Sequence, residues 1–228
     1  MMSMDFSPFY QEYEQLVAIA DRAFEQVKDK HPDCIRCKVY CSDCCFALFD
    51  LTLIEALYIN NRFRETFEGA GRENLLEKCN AADRAIYRIK KQAYKDSESG
   101  KDSRMIIEAI SEERIRCPML NEQSECDIYD FRPITCRLYG IPTSIGEESH
   151  TCGLSAFEKG KPYPTVKLDK IQDKLIGLSY RLTTEIRSRH SQLHEVLVPL
   201  SMSLLTIYDE DYLGIKSSEK ATDVKGDE

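Results

Sequence analysis

The sequence predicts a mainly α-helical protein whose helices surround an irregular, cysteine-rich centre with at most a few short strands. Apolar residues recur at helical spacing over long stretches in both halves of the chain. No alternation of strands and helices appears that would build a doubly wound sheet or a barrel. Because 228 residues can bury a hydrophobic core without cross-links, the ten cysteines are not needed as disulfide staples.

The first helix is predicted over residues 7–30. Ser7 offers a capping hydroxyl, and Pro8 suits the first turn because its missing N–H costs nothing there. The apolar face of this helix comprises Tyr13, Leu16, Val17, Ala20, Phe24 and Val27. We expect the helix to end before His31 and Pro32, where the cysteine-rich loop begins.

Two helices are predicted after this loop. Thr52 and Glu55 form a capping box, so a helix should start there and end near Phe67. The next helix begins near Arg72 and carries an apolar seam of Leu75, Cys79, Ala82, Ile86, Ile89 and Ala93. Free cysteine behaves as a small hydrophobe, so Cys79 is predicted to belong to the core.

The second half of the chain alternates helices with irregular segments. A short helix near 105–110 leads into a second cysteine-bearing region, 117–153, where prolines, glycines and short apolar runs predict loops with two brief strands. Apolar spacing predicts another long helix over 168–186. One or two shorter helices are expected within 193–208.

These elements predict a single domain over residues 1–216. Its cysteine-cluster core covers about 34–153, and helical segments in 7–30 and 167–212 flank it. The last residues, 217–228, are charged and are predicted to form a disordered tail.

Charge and hydropathy narrow the classes of partner. The formal net charge of −8 argues against nucleic acid as a partner, because phosphate binding needs clustered cations. No apolar stretch approaches the roughly 18 residues of a membrane span, so no membrane is expected. The opening segment "MMSMDFSPFYQEYEQ" does not resemble a secretion signal, and we expect a cytoplasmic protein. In that reducing compartment grouped cysteines bind metal or do redox work more often than they form disulfides.

The cysteines fall into two groups that predict a metal site. The first group is Cys34, Cys37, Cys41, Cys44 and Cys45, and the second is Cys117, Cys126, Cys136 and Cys152. Thiolates at separations of two or three residues can turn toward one centre, and a bound cation deprotonates them outright. Adjacent Cys44 and Cys45 cannot easily face one ion, so one of them is expected to serve a second iron or a second site. His150 is expected outside the ligand set.

Four segments, "CKVYCSDCC", "CPML", "CDIYDFRPITCRLYG" and "HTCG", resemble the YkgJ-type cysteine-cluster family. That family is described as a zinc- or iron-chelating domain related to flagellin lysine N-methylases. The resemblance spans about residues 34–153 and implies a ligand set of Cys37, Cys41, Cys44, Cys45, Cys117, Cys126, Cys136 and Cys152. Because Cys37 and Cys41 are separated by one residue more than in the family pattern, either Cys34 or Cys37 can take the first position.

The other signature residues have physical roles of their own. Arg132 and Arg137 can offset the charge of a multi-thiolate site or donate hydrogen bonds to sulfur. The alternative is ordinary pairing of these arginines with Asp127 or Asp130. Tyr129 is expected to pack over the site, so these three residues are the predicted cofactor-binding set around the metal.

The function predicted first is a metal-binding protein that holds an iron–sulfur cluster of the [4Fe–4S] type, for electron transfer, redox sensing or support of a reaction. A zinc site that acts as a structural staple for an interaction module is the second interpretation. The resemblance also implies a third, an enzyme similar to protein lysine N-methylases that uses the cluster, although no glycine-rich cofactor loop is present. No catalytic residue is identified. The expected partners are the metal and a redox or other protein partner.

Overall fold

A computed structural model describes residues 5–215, and within that range it contains seven α-helices and five short strands. The helices are α1 (Ser7–Lys30), α2 (Leu53–Thr66), α3 (Gly69–Glu98), α4 (Ser103–Glu112), α5 (Ile134–Leu138), α6 (Leu168–Glu185) and α7 (Leu200–Leu205). The strands are β1 (Asp50–Thr52), β2 (Thr143–Ile145), β3 (Glu148–His150), β4 (Val166–Lys167) and β5 (Leu197–Pro199). The mainly α prediction is confirmed. The predicted disordered tail lies outside the described residues.

The strands form two small sheets. β1 pairs antiparallel with β5, and the other sheet has the order β3-β2-β4, with β2 antiparallel to β3 and parallel to β4. Gly146, at a φ of +59°, makes the tight turn between β2 and β3. These two strands are the pair predicted within 117–153. The other three strands, β1, β4 and β5, have only two or three residues each, which is too few for an alternation of apolar and polar residues to be recognised in the sequence.

Two predicted helix caps are wrong in detail. The N-cap of α1 is Phe6, and the Ser7 N–H donates to Asp5 Oδ1 at 2.9 Å. Thr52 does precede α2, but its hydroxyl makes no capping hydrogen bond. Thr52 is buried as the last residue of β1, and the carboxylate of Glu55 points into the core instead. Tertiary contacts have therefore replaced the local capping chemistry.

The hydrophobic core is centred on α2. Its side chains at Leu53, Ile54, Ala56, Leu57, Ile59 and Phe63 are at most 3 % exposed. Residues 53–60 are buried on every side of this helix, and α1, α6 and α7 are the helices that cover them. α1 also packs against α5, which brings the first helix next to the second cysteine group.

α3 is buried only over its first half. Leu75, Cys79 and Ala82 lie in the core, as their spacing predicts, and Cys79 has no exposed surface. Beyond them the helix projects, with Tyr87 62 % and Tyr94 65 % exposed. No helix within residues 5–215 combines the length and the apolar character that crossing a bilayer requires.

Candidate metal centre

One cavity gathers the predicted ligands. It encloses about 800 Å³ between the C-terminal half of α1, the cysteine-rich loop, α3 and residues 115–140. Its walls include all eight predicted cysteines, namely Cys37, Cys41, Cys44, Cys45, Cys117, Cys126, Cys136 and Cys152, together with Tyr129, Arg132 and Arg137. Of the two alternative residues for the first position of the family pattern, Cys37 lines this cavity and Cys34 does not. Among residues 5–215, no three Cys, His, Asp or Glu side chains lie close enough to hold a single ion.

Four of the thiols, which we call the inner thiols, are Cys45, Cys117, Cys126 and Cys136. Backbone hydrogen bonds fix the first three: the Cys117 N–H donates to the Cys45 carbonyl at 2.7 Å, and Cys126 forms an antiparallel bridge with Leu120. Cys136 lies in α5. The inner thiols are therefore attached to segments whose neighbours, Met119 and Ile128, are fully or almost fully buried.

A buried carboxylate holds the start of α5. Glu55 is 4 % exposed, and its Oε1 accepts hydrogen bonds from the Tyr13 hydroxyl at 3.3 Å and from the Ile134 N–H at 3.1 Å. Burial raises the pKa of Glu55 above its ordinary value. Since the first N–H groups of a helix have no partner within the helix, Glu55 fixes the end of α5 from which Cys136 extends.

The outer thiols are Cys37, Cys41 and Cys152. The Cys41 N–H closes a turn onto the Lys38 carbonyl at 2.9 Å, and the Cys152 thiol donates to Asp43 Oδ2 at 3.3 Å. Cys37 is exposed, whereas Cys117 and Cys126 pack against the hydrophobic core. The outer thiols are thus held by loop turns and by one side-chain hydrogen bond, from Cys152 to Asp43. Cys44 lies between the two sets.

Gly140 is a site residue that the sequence interpretation missed. A Cβ at this position would collide with Cys37 Sγ and would lie 3.2 Å from the ring of Phe24. The Cys37 sulfur therefore occupies the space that a side chain at position 140 would need. Its position at the end of the "CRLYG" segment is the only signal in the sequence, and spacing alone does not show which thiol it meets.

The thiols differ from free cysteine in acidity. Cys37 is exposed as a residue, but burial of its sulfur near Gly140 raises its pKa to about 11, and burial raises the pKa of Cys117 to about 12. Burial also raises the pKa of Cys126, and it raises that of Cys136 well above the ordinary value. At neutral pH these groups are protonated unless a cation draws the protons off.

The adjacent thiols of Cys44 and Cys45 have pKa values shifted in opposite directions. Interaction with the Cys45 thiol lowers the pKa of Cys44 to about 7, and interaction with Cys44, together with burial, raises the pKa of Cys45. The neighbouring Cys117 and Cys126 also act on Cys45. Cys44 is therefore ionised more easily than free cysteine even without a metal.

The two arginines differ in what they touch. Arg137 is 8 % exposed, and its guanidinium donates to Asp21 at 2.8 Å, to the Asp130 carbonyl at 2.6 Å and to the Arg132 carbonyl at 3.0 Å. The predicted alternative of ordinary ion pairing therefore describes Arg137, but its carboxylate partner is Asp21 of α1 and not Asp127 or Asp130. With these nitrogens engaged, Arg137 ties α1 to the cavity wall.

Arg132 is the arginine that acts on the thiols. It stacks on the ring of Tyr129 with its guanidinium carbon 3.7 Å from the ring centre, and it donates to the Tyr129 carbonyl at 2.9 Å. Burial raises the pKa values of Cys126 and Cys136, and the charge of Arg132 opposes both rises. Arg132 thus supplies the cavity with positive charge, and this charge would stabilise thiolates there.

Asp43 joins the outer thiols to a second cation. Arg114 donates to Asp43 Oδ1 at 2.6 Å while Cys152 donates to the other oxygen. Burial opposes ionisation of Asp43, but the hydrogen bonds from Arg114 and Cys152 hold its pKa below the ordinary value. Asp43 stands inside the "CSDCC" block, so its nearness to the thiols was visible in the sequence although its partners were not.

The remaining candidates lie away from the cavity. His150 is an exposed residue of β3 and does not line the walls, as expected. Burial raises the pKa of Cys79 to about 12 within the core.

Comparisons of the chain with protein-family models, with curated proteins and with solved structures found no match.

Proposed function

We propose that this protein binds a metal centre through the thiolates of the cavity, and that the centre is an iron–sulfur cluster in preference to zinc. The observation that carries the proposal is that all eight predicted cysteines, from both groups, line a single cavity. All ten cysteines of the chain are free thiols. Disulfide formation therefore does not account for their clustering.

The chemistry of the donor set supports this choice of metal. No histidine belongs to the cavity walls, and soft thiolate donors favour iron–sulfur clusters, zinc and copper(I). A structural zinc site uses four ligands, whereas eight thiols line this cavity. The inner thiols and Cys44 are the residues that would hold a cluster, and a bound cluster would supply one-electron transfer.

The surroundings of the thiols fit an anionic group. The charge of Arg132 acts on Cys126 and Cys136, whereas the Arg114–Asp43 pair is neutral and meets Cys152 through its carboxylate. Arg137 is committed to Asp21 and holds the wall in place. Membership of the YkgJ-type cysteine-cluster family, which the signature residues imply, remains part of the proposal.

Metal and sulfide analysis of the full chain, purified without oxygen, tests the proposal. We expect about four iron atoms and matching acid-labile sulfide per chain, with a brown absorbance that dithionite bleaches. A colourless protein with stoichiometric zinc would contradict the cluster and leave the structural-staple interpretation. A protein that binds neither metal after reconstitution would overturn the proposal as a whole.

One observation favours an additional catalytic role. Beyond the thiols, the cavity extends between apolar side chains of Leu48, Ile86, Ile115 and Leu200. This space admits an organic group beside the metal, as a lysine N-methylase-like enzyme would need. Transfer of labelled methyl groups from S-adenosylmethionine to flagellin by the reconstituted protein tests this role, and its absence would leave metal binding alone.

A further inference from the structure

The mouth of the cavity carries exposed apolar side chains. Val39 is 69 % and Tyr40 66 % exposed, and both belong to the loop between Cys37 and Cys41. Across the mouth Tyr129 is 60 % exposed. All three line the same cavity as the thiols. Grouped apolar side chains with a polar surround are typical of surfaces that bind other proteins.

The backbone of this loop supports the exposure of Tyr40. Its φ of +69° lies in the left-handed region, which a bulky residue rarely adopts. The turn from Lys38 to Cys41 imposes that conformation. Glycine or asparagine would satisfy the turn at lower cost, so an aromatic side chain is kept at the mouth despite the backbone strain.

The same surface carries unpaired cations. Arg36 and Lys38 are exposed and flank Cys37, and Arg132 lies on Tyr129. None of the ion pairs among residues 5–215 uses these three side chains.

The carboxylates at the mouth do not cancel this charge. Asp43 is paired with Arg114, and Glu25 is paired with Lys28. Asp130 and Glu125, both exposed, each add one negative charge, which leaves the three cations in excess. The mouth is therefore positive on a chain whose formal net charge is −8.

We propose that this rim surface, formed by Arg36, Lys38, Val39, Tyr40, Tyr129 and Arg132, docks an acidic electron-transfer protein that exchanges single electrons with the metal centre. The proposal rests on the proposed iron–sulfur function. In the exchange the reduced partner loses one electron and the cluster gains it, and no bond forms or breaks. The reverse transfer follows the same route.

Charge and position together favour this partner. A positive patch attracts an acidic partner, while the acidic remainder of the protein repels it. Together these forces orient the partner as it approaches. Cys37 and Cys41 lie within or next to the rim loop, so a docked partner stands at the exposed side of the cluster site.

The test is the rate at which a reduced acidic [2Fe–2S] ferredoxin reduces the cluster of the full-length holoprotein, followed by stopped flow. The double variant Arg36→Glu with Lys38→Glu is expected to lower the second-order rate about tenfold or more at low ionic strength. Added salt should slow the wild type and have less effect on the variant. Arg84→Glu with Arg88→Glu, an equal charge change on exposed residues of α3, is the matched control and should retain most of the rate.

A second variant separates the apolar contact from the charge. Tyr40→Gly relieves the left-handed backbone and removes the aromatic ring, so it should fold and slow the reaction several-fold even at high salt. Iron content and reduction by dithionite should match the wild type in every variant. Equal rates in both double variants would overturn the proposal that the rim surface docks the partner, while the iron content would still support the cluster. A protein that holds zinc instead would overturn this proposal together with the cluster.

Discussion

The inner and outer thiols face one cavity but are held in different ways. The inner set stands on segments that pack into the core, and α5 is fixed by the buried carboxylate of Glu55. The outer set stands on turns at the surface, where Cys37 is exposed and Cys152 is held through Asp43. The difference predicts that the inner thiols retain the metal, while the outer thiols govern access and exchange.

Removal of single thiols should have the largest effect and tests the difference between the inner and outer sets most directly. Cys136→Ser should weaken metal binding by more than roughly 100-fold, the upper range for losing a group that only supports a ligand. Cys152→Ser should weaken it less, because its sulfur is tied to Asp43 in an exposed loop. Metal content after dialysis against a chelator measures both. Cys34→Ser, outside the cavity walls, is the control, and a loss there as large as in Cys136→Ser would contradict the ligand assignment.

The pH dependence of metal binding is the next largest effect. Burial raises the pKa of Cys37 to about 11 and of Cys117 to about 12, so both are protonated in the metal-free protein at pH 6 to 8. Each thiolate that forms on metal binding releases a proton, which changes affinity about tenfold per pH unit. Affinity should therefore rise steeply as pH rises.

Competition for Zn²⁺ between the metal-free protein and a chromophoric chelator, at several pH values, measures this slope. A slope of about three to four decades per unit would correspond to the inner thiols binding together. Cys44, with a pKa of about 7, should contribute only below that pH. An affinity that does not change with pH would show that the buried thiols are not ligands.

The sequence predicted the thiols better than it predicted their support. Local spacing is enough to group the cysteines that line one cavity, and helical periodicity is enough to place the long helices and Cys79. Glu55 was interpreted as a cap for its own helix, yet it meets Ile134 on another segment. The sequence offers Arg137 either the thiols or a nearby Asp127 or Asp130 as partner, yet its ion pair is with Asp21. These partners depend on how distant segments pack, which no local pattern records.

Glu55 offers a test of the support beneath the inner thiols. Glu55→Ala would leave the Tyr13 hydroxyl and the Ile134 N–H buried without an acceptor, which costs about 2 to 4 kcal/mol in the free energy of unfolding. Glu55→Gln keeps an acceptor oxygen and is the matched control. Urea denaturation of the metal-free proteins measures both, and equal losses would show that the hydrogen bonds to Oε1 do not matter.

The sign of the pH effect sharpens this test. The pKa of Glu55 is raised by burial, so the folded protein binds its proton more tightly than the unfolded chain. Stability of the wild type should then fall as pH rises from the ordinary pKa of glutamate to the raised value. Glu55→Gln lacks this loss, and its stability relative to the wild type should improve across the same interval.

Gly140 provides the smallest expected effect and tests the outer set alone. Gly140→Ala would push a methyl group against Cys37 Sγ and the ring of Phe24, an overpacking that costs about 1 to 3 kcal/mol. Because Cys37 lies in an exposed loop, part of the strain should be relieved by moving its thiol away from the cavity. Metal should still bind but exchange faster with a chelator. Gly153→Ala, where a Cβ meets no atom within 4 Å, is the control. A Gly140→Ala protein that loses its metal entirely would show that Cys37 holds the centre as firmly as the inner thiols do, and the distinction between the two sets would fail.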